Sequence, residues 1–371
     1  MNFIAKIKSV AVLALLVGLT VPAMSQTKTE NVFLITLDGL RWQELYTGAD
    51  PQLIGHKEYV DHPEELKKAF WRDSPEARRR ALMPFFWSTL KAEGQLHGNR
   101  LKGSKTDCTN NMWFSYPGYN EILSGKADDI RIHSNDKFDN PNPTLIGFVN
   151  KTSEYKGKVA AFGSWDVFPF IINEKASDLY VNAGFRKAKG DLTQKERFLN
   201  ELQDQVPSPW GSVRLDAFTH GYAMETIKKE TPNLVYIAYG ETDDFAHDGD
   251  YEAYLKSAHR TDAFIKELWD FVQNHPKYKN KTTFIITTDH GRGTQPLETW
   301  RHHGKHIDGA GQIWFAAIGP DTPALGEVSG GQYYQNQMAQ TVAKLLGLDF
   351  RATDKEIGKK IDPIFKKRTK L

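Results

Sequence analysis

Cysteine is nearly absent from this sequence, which has a single one, Cys108, among 371 residues. A lone cysteine cannot form a disulfide within the chain, so the fold is expected to depend on its hydrophobic core. Linker-like runs of proline, glycine and serine are missing too, and no internal repeat is visible. We therefore expect a single domain over residues 26–371, which is long enough to bury a large core.

An excess of either charge is also missing. The chain has 48 basic and 46 acidic residues, and removing the two lysines of its N-terminal leader leaves 46 of each. This balance gives no electrostatic reason to expect binding to a nucleic-acid polymer or to an anionic membrane surface. A small-molecule partner is therefore the expectation, and nothing in the sequence indicates an oligomeric state.

The N-terminus has an apolar run that is too short to span a membrane. Lys6 and Lys8 precede the run at 10–21, and Ala23 and Ser25 follow as the small residues of a cleavage site. This order is typical of a secretory signal peptide. No cysteine stands near the cleavage site, which argues against a lipoprotein. We expect residues 1–25 to be removed and the chain to be exported, periplasmic or secreted, without a membrane anchor.

The periodicity of apolar residues predicts an α/β fold. Continuous apolar runs predict buried strands at 31–37, 158–162, 233–239, 282–288 and 312–318. Amphipathic patterns between them predict helices, including 251–273 and 333–346. Strands that alternate with helices indicate a mostly parallel central sheet sandwiched by helices. Two polar and aromatic segments, 47–80 and 167–212, are predicted to be irregular insertions that shape a pocket.

Acidic and imidazole side chains stand at the ends of these apolar runs. The elements are Asp38, Asp243 with His247, Asp289 with His290, and His302 with His303. Open α/β sheets bind ligands at the carboxyl ends of their strands, so these side chains are expected to meet in one crevice. Carboxylates mixed with imidazoles suit zinc. The sequence therefore predicts a metal centre.

Each element also has a purely structural interpretation. Asp38 precedes a glycine and would alone indicate a turn, while Asp243 and His247 are spaced like residues of a helix cap. The pair Asp289 and His290 is more specific, because two polar residues leaving a buried strand are costly unless they are paired or ligated.

The segment WFSYPGYNEILSG offers a candidate nucleophile. Ser115 stands two residues before Pro117, a residue type favoured in the first turn of a helix. A helix that begins there would place Ser115 among free backbone N–H groups at a positive helix end, which suits a phosphate. The alternative is that Ser115 only caps the helix. No Ser-His-Asp arrangement is evident, so activation would have to come from a metal.

Together these segments resemble the alkaline phosphatase superfamily, and specifically its nucleotide pyrophosphatase/phosphodiesterase-like branch. The motifs are LDGLRW, SYPGYNEILSG, ETDDFAH, TTDHGRG and the HHG before IWFAAIGP, in the family's order. The resemblance implies an alkaline-phosphatase-like fold and two zinc ions or other divalent metals. One ion would be held by Asp38, Ser115, Asp289 and His290, and the other by Asp243, His247 and a histidine of the HHG element. For that last ligand His303 fits the motif, while His302 and His306 compete with it.

The resemblance also implies an activity. An exported phosphoric ester hydrolase, a phosphodiesterase acting through a phosphoserine on Ser115, is the expected function. Asn135 falls close to the spacing at which the branch has an asparagine that binds a phosphoryl oxygen; a turn residue is the alternative. The chain departs from the branch pattern, which has threonine at Ser115 and asparagine at Gly118. Tyr119 stands where sulfatases need an arginine, so their formylglycine chemistry is not expected.

Other functions remain open on the same residues. A phosphomonoesterase or phosphotransferase would use the same centre, and a non-enzymatic metal-binding protein would use only its ligands. Arg131, Arg292, Arg301 and Lys305 lie near the motifs and are candidates for binding the second charge of a monoester. Because none has a recognisable phosphate-binding spacing, the sequence favours a diester.

Overall fold

The computed structural model describes residues 28–366. Its strands are β1 Asn31–Leu37, β2 Gln95–His97, β3 Lys105–Asp107, β4 Val159–Gly163, β5 Val181–Ala183, β6 Leu234–Tyr239, β7 Thr282–Thr287, β8 Gln312–Ile313, β9 Phe315–Ile318, β10 Gly326–Glu327 and β11 Gln332–Tyr334. Its α-helices are α1 Trp42–Thr47, α2 Pro63–Phe70, α3 Pro75–Leu82, α4 Lys91–Glu93, α5 Ser115–Ser124, α6 Leu145–Lys151, α7 Phe168–Ile171, α8 Glu174–Ser177, α9 Gln194–Gln205, α10 Asp216–Glu230, α11 Glu241–Asp248, α12 Tyr251–Asn274 and α13 Met338–Leu345. The predicted signal peptide, residues 1–25, lies outside this range. Among the described residues, no helix is long and apolar enough to cross a membrane.

The central sheet has the order β10-β2-β9-β7-β1-β6-β4-β5. Its middle is parallel: β1 pairs with β6 and β7, and β4 pairs with β6 and β5. Only β9 joins β7 and β2 in antiparallel fashion. A second, small sheet has the order β11-β3-β8. The predicted run 312–318 is thus divided at Trp314, where the chain passes from the small sheet to the central one.

Helices cover both faces of the central sheet. Alternate residues of β1 enter different apolar clusters: Phe33 and Ile35 pack on one side, and Val32 and Leu34 on the other. This alternation follows from the period of two along a strand. Helix α12 packs in the first cluster, while α5 and α13 pack in the second. The structure confirms the predicted fold class, a mostly parallel sheet between layers of helices.

Two sequence predictions are corrected here. The predicted helix 333–346 begins only at Met338, because residues 332–334 pair with β3 as strand β11. The segments 47–80 and 167–212 are not irregular: the first contains α2 and α3, and the second contains α7, α8, α9 and β5. Strand β5 extends the edge of the central sheet. The predicted helix 251–273 is confirmed as α12, whose N-cap Asp250 accepts a hydrogen bond from Ala253 N.

Candidate metal centre

The candidate centre lies where β1, β6 and β7 end side by side. Asp38 follows β1, Asp243 lies in the first turn of the helix after β6, and Asp289 follows β7. Gly39 lets the chain turn with φ of +58°, and a Cβ there would lie 2.8 Å from Asp243 Oδ1. The Gly39 amide donates to Asp289 Oδ1 over 3.0 Å. Parallel pairing therefore brings the strand-end carboxylates together.

His290 is at the middle of this group. Its Nε2 lies 3.3 Å from Asp38 Oδ1, 3.5 Å from Asp289 Oδ2 and 3.6 Å from Asp243 Oδ1. Its Nδ1 lies 2.9 Å from the carbonyl oxygen of Gly291 and must donate there, because a carbonyl only accepts. When the ring is neutral, Nε2 therefore carries the lone pair that faces the carboxylates, which is the tautomer that a metal ligand requires.

A second set of ligand atoms adjoins the first. His303 Nε2 lies 3.6 Å from Asp243 Oδ1 and 2.8 Å from His247 Nε2. His247 Nε2 lies 3.3 Å from Asp243 Oδ2. The side chains of His302 and His306 are exposed, whereas the His303 side chain is only 11% exposed. Of the three competing histidines, the structure brings His303 to the centre.

Three buried polar atoms in this cluster have no hydrogen-bond partner among the described residues. Asp38 Oδ1, Asp289 Oδ2 and His303 Nδ1 make no hydrogen bond within residues 28–366. The cluster contains two sets of three residues, and within each set the ligand atoms lie within 4.8 Å of one another. The sets are Asp38, Asp289 and His290, and Asp243, His290 and His303. Buried polar atoms without partners are costly, and carboxylate with imidazole is a zinc-type donor set, so these residues fit divalent cations.

The electrostatics of the cluster point the same way. Burial, with the nearby Asp243 carboxylate, raises the pKa of Asp38, and burial together with Asp38 raises the pKa of Asp289 well above its usual range. Burial lowers the pKa of His290, but the surrounding carboxylates, Asp289 first, bring it up to about 9. Burial and mutual repulsion thus disfavour the ionised forms of Asp38 and Asp289, and a bound cation would offset the same negative charge.

Ser115 is the first residue of α5 and faces the cluster. The N-cap residue is Phe114, so Ser115 does not cap this helix with its side chain. Ser115 Oγ lies 3.4 Å from His290 Nε2, and the residue is 5% exposed. Pro117 lies in the first turn, as predicted. The sequence showed no histidine partner for Ser115, and the structure supplies one that also belongs to the predicted ligand set.

Asn135 lies beside the start of the same helix. Its Oδ1 accepts a hydrogen bond from Tyr116 N over 3.0 Å. Its side chain is exposed, and its Nδ2 makes no hydrogen bond to any described residue. Asn135 thus binds the backbone of the residue that follows Ser115, and its Nδ2 remains free to donate a hydrogen bond.

Two of the nearby arginines serve the centre's own loops. Arg292 is fully buried and directs its guanidinium to the Asp243 carboxylate, to Gly39 O at 3.2 Å and to Arg301 O at 2.6 Å. Burial alone would raise the pKa of Asp243, but Arg292 and His247 hold it well below its usual range. Arg301 donates to His247 O over 2.9 Å. Both side chains position ligand loops.

The other two candidate cations lie on the surface. Arg131 is exposed and pairs with Asp128, and it also donates to Asn142 Oδ1 over 2.6 Å. Lys305 is exposed. Arg131, Arg292 and Arg301 thus donate to other groups, and none of the four cations contacts Ser115 among residues 28–366.

Three residues hold the candidate ligands by hydrogen bonds, and the sequence did not predict this role for any of them. Tyr119 donates to Asp38 Oδ2 over 2.9 Å, Thr242 donates to the Asp38 carbonyl, and Gln335 Nε2 donates to Asp289 O over 2.6 Å. Tyr119 could have been found from its place in the Ser-x-Pro-x-Tyr motif. Gln335 lies in a different part of the chain and carries no sequence signal.

Gly118 explains one departure from the branch pattern and gives a testable result. A Cβ at Gly118 would lie 2.4 Å from Asp289 O, which is too close for any side chain. Gly118→Ala is expected to lower the Tm by about 1–4 °C, since overpacking costs about 1–3 kcal/mol and the unfolding entropy of a domain of this size is about 0.7 kcal/mol/K, and to reduce bound metal. Calorimetry and metal analysis check this. Gly211→Ala is the control, because no atom lies within 4 Å of its Cβ position. Equal effects at both sites would contradict the explanation.

Known proteins similar to the chain share its fold. Wild-type alkaline phosphatase PafA has a TM-score of 0.59 at 11% identity, covering 93% of this chain and 100% of that one. The 2-O GAG sulfatase BT1596 gives 0.56 at 12%, covering 91% and 74%. Phosphonate monoester hydrolase SpPMH from Silicibacter pomeroyi gives 0.52 at 13%, covering 91% and 76%. No curated protein matches the sequence.

A family model adds sequence evidence to this likeness of fold. The model of the metalloenzyme superfamily matches residues 189–307. The matched segment contains Asp243, His247, Asp289, His290 and His303. The chain therefore has an alkaline-phosphatase-like fold, and the segment that carries most of its candidate ligands matches the metalloenzyme superfamily.

Proposed function

We propose that this protein is an exported, two-zinc phosphodiesterase that hydrolyses a small phosphoric diester through a phosphoserine on Ser115. One observation carries the proposal. Ser115 Oγ, at the N-terminus of a helix, lies 3.4 Å from His290 Nε2, and that nitrogen faces three carboxylates. A hydroxyl nucleophile and a zinc-type ligand set thus share one site. Export rests on the N-terminal sequence pattern alone.

The candidate ligands form two proposed sets, one for each metal ion. One ion would be held by Asp38, Ser115, Asp289 and His290, and the other by Asp243, His247 and His303. When bound, zinc supplies positive charge that stabilises developing oxyanions and lowers the pKa of an oxygen ligand. The remaining chemistry belongs to residues of the chain.

The Ser115 hydroxyl loses its proton to solvent, and its Oγ attacks phosphorus while the bond to the departing oxygen breaks; that oxygen takes up a proton and leaves as the alcohol. Water then attacks phosphorus, the bond to Ser115 Oγ breaks, and the remaining phosphate monoester and the Ser115 hydroxyl are released. The Ser115 backbone N–H is free to bind a phosphoryl oxygen, because it makes no hydrogen bond within residues 28–366. Asn135 Nδ2 offers a second donor, since its Oδ1 is fixed on Tyr116 N. Both donors would stabilise the negative charge that develops on the phosphoryl oxygens during attack.

A diester fits this site better than a monoester. A diester phosphoryl group carries one negative charge, whereas a monoester carries about two and usually requires another cation. Arg292 directs its donors to Asp243 and to backbone carbonyls, and Arg131 is paired with Asp128. Neither is available for a second phosphate charge.

The competing functions make different use of Ser115. A phosphomonoesterase or phosphotransferase would share the phosphoserine, the latter passing the phosphoryl group to an alcohol instead of water. A metal-binding protein without activity would not need a buried serine hydroxyl beside His290. Sulfatase chemistry of the formylglycine type lacks its arginine, because Tyr119 at that position donates to Asp38.

Metal content and substrate preference test the proposal together. The purified mature chain is expected to contain about two zinc per molecule and to hydrolyse an aryl phosphate diester at least about tenfold faster than the matching monoester, as expected from the charge difference. Faster monoester turnover would reverse the substrate assignment. Activity that survives complete removal of divalent metal would refute the metal-dependent mechanism.

A further inference from the structure

The segment that leads to Ser115 is held by a buried carboxylate. Glu121 is fully buried on α5, two turns beyond Ser115. Its oxygens accept hydrogen bonds from Thr109 N at 2.9 Å, Thr109 Oγ1 at 2.8 Å, Asn110 N at 2.8 Å and Asn110 Nδ2 at 2.7 Å. Every partner is a donor, which matches an ionised carboxylate. Glu121 therefore clamps residues 109–110 against the helix that begins with Ser115.

Asn110 passes this constraint on to the backbone before Ser115. Its Oδ1 accepts from Met112 N at 3.1 Å and from Trp113 N at 2.9 Å. Trp113 has φ of +51°, in the left-handed region that residues other than glycine rarely adopt. Phe114 then returns to extended backbone, and Ser115 opens the helix. The direction in which the chain enters α5 thus depends on the side-chain oxygen Oδ1 of Asn110.

The same side chain reaches towards a predicted metal ligand. Asn110 Nδ2 lies 3.4 Å from Gln335 Oε1. Gln335 is fully buried, and its Nε2 donates to Asp289 O over 2.6 Å. One continuous chain of hydrogen bonds therefore joins Glu121, Asn110, Gln335 and the strand-end carbonyl of Asp289.

We propose that Glu121, Asn110 and Gln335 form a positioning network that fixes Ser115 Oγ relative to the strand-end cluster. The network touches neither the substrate nor the reacting atoms, and acts through the backbone at 110–114 and at Asp289. Its catalytic effect rests on the function proposed above. The side chains are buried and matched donor to acceptor, so the network has one arrangement rather than several.

Two variants break the network, and each has a matched control. Asn110→Ala removes the acceptor for Trp113 N, and Glu121→Gln places a donor among donors. Asn150→Ala is the control for the first: Asn150 is buried and holds a loop by donating to Ser177 O and Asp178 O. Glu196→Gln is the control for the second, because Glu196 is buried and accepts from Thr193 N in a helix cap far along the chain.

The kinetic result separates positioning from stability. The network variants should lower kcat for an aryl phosphate diester about 10–100-fold, the loss expected for a misplaced reacting group, with KM changed by less than about threefold. The controls should lower Tm but keep kcat within about twofold. The double variant Asn110→Asp with Glu121→Gln keeps one carboxylate, one amide and the acceptor for Trp113 N. It should recover part of the kcat that Asn110→Ala loses.

Amide hydrogen exchange supplies a readout that does not need activity. In Asn110→Ala, the amides of Met112, Trp113 and Tyr116, which are hydrogen-bonded in the wild type, should exchange faster, while Asn150→Ala leaves them unchanged. Unchanged exchange there, or an unchanged kcat in an active protein, overturns the network. A wild type that hydrolyses no phosphoric ester would instead refute the proposed function, and the exchange result would still decide whether the network holds this segment.

Discussion

Ser115→Ala is expected to reduce kcat/KM for a phosphoric diester by at least about 1,000-fold, the scale of loss when a covalent nucleophile is removed. The alanine keeps the helix start and the backbone N–H but removes the hydroxyl that lies 3.4 Å from His290 Nε2. Binding and the metal centre would still supply a small residual rate. Steady-state kinetics with an aryl phosphate diester measure the loss.

Ser124→Ala is the matched control for this experiment. Ser124 ends the same helix, is also buried, and its hydroxyl donates to the Lys126 carbonyl and accepts from the Lys126 amide. Its replacement should leave kcat/KM within about twofold of the wild type. If Ser115→Ala retained comparable activity, a hydroxide attack on phosphorus without a serine intermediate would be the better account.

His290→Ala should have the second large effect, because this side chain belongs to both groups of ligand atoms. Loss of a direct ligand should cost at least about 100-fold in activity, the upper range found when even an outer partner is lost. Zinc content should fall by at least about one equivalent. Wild-type protein stripped by a chelator should regain activity when zinc is added, and the variant should not.

His220→Ala controls for the loss of a buried imidazole. His220 is buried on α10 and contacts Tyr239 and Glu267, with no contact to the candidate ligands. Its removal should lower stability while zinc content stays at the wild-type value. Zinc binding should also raise the Tm of the wild type, since it stabilises only the folded state, and this rise should be reduced in His290→Ala. A His290 variant with full zinc content would contradict the ligand assignment.

The strand ends could be predicted from sequence because parallel strands impose a strong constraint. The apolar runs before Asp38, Asp243 and Asp289 predict β1, β6 and β7, and adjacent parallel strands end at one edge. Their convergence in the structure follows from that rule. The start of α5 could be predicted as well, because Pro117 restricts the first helical turn.

Features set by loop paths could not be predicted in this way. Motif spacing alone left His303 in competition with His302 and His306, and only the chain path after the short helical turn at Leu297–Arg301 separates them. The late start of α13 depends on pairing between β11 and β3, which are more than 200 residues apart in sequence. Local periodicity contains no information about such a pairing.

The network behind Ser115 shows the same limit. Glu121 is buried and accepts hydrogen bonds from residues 109–110, whereas an amphipathic pattern would predict an exposed glutamate. In the sequence, Asn110 looks like an ordinary loop residue. Gln335 joins them from another region of the chain. Gly118 reads as a departure from the branch pattern, and its close approach to Asp289 O is visible only in three dimensions.

Trapping the phosphoserine is the most direct test of covalent catalysis by Ser115. Zinc-loaded protein would be mixed with an aryl phosphate diester, quenched in acid during the first turnovers, digested and examined by mass spectrometry. The phosphoryl monoester group of the substrate should appear on Ser115 in the peptide containing residues 113–121, and Ser115→Ala should yield no such adduct. Turnover that proceeds with no adduct on Ser115, at quench times shorter than one catalytic cycle, would contradict it.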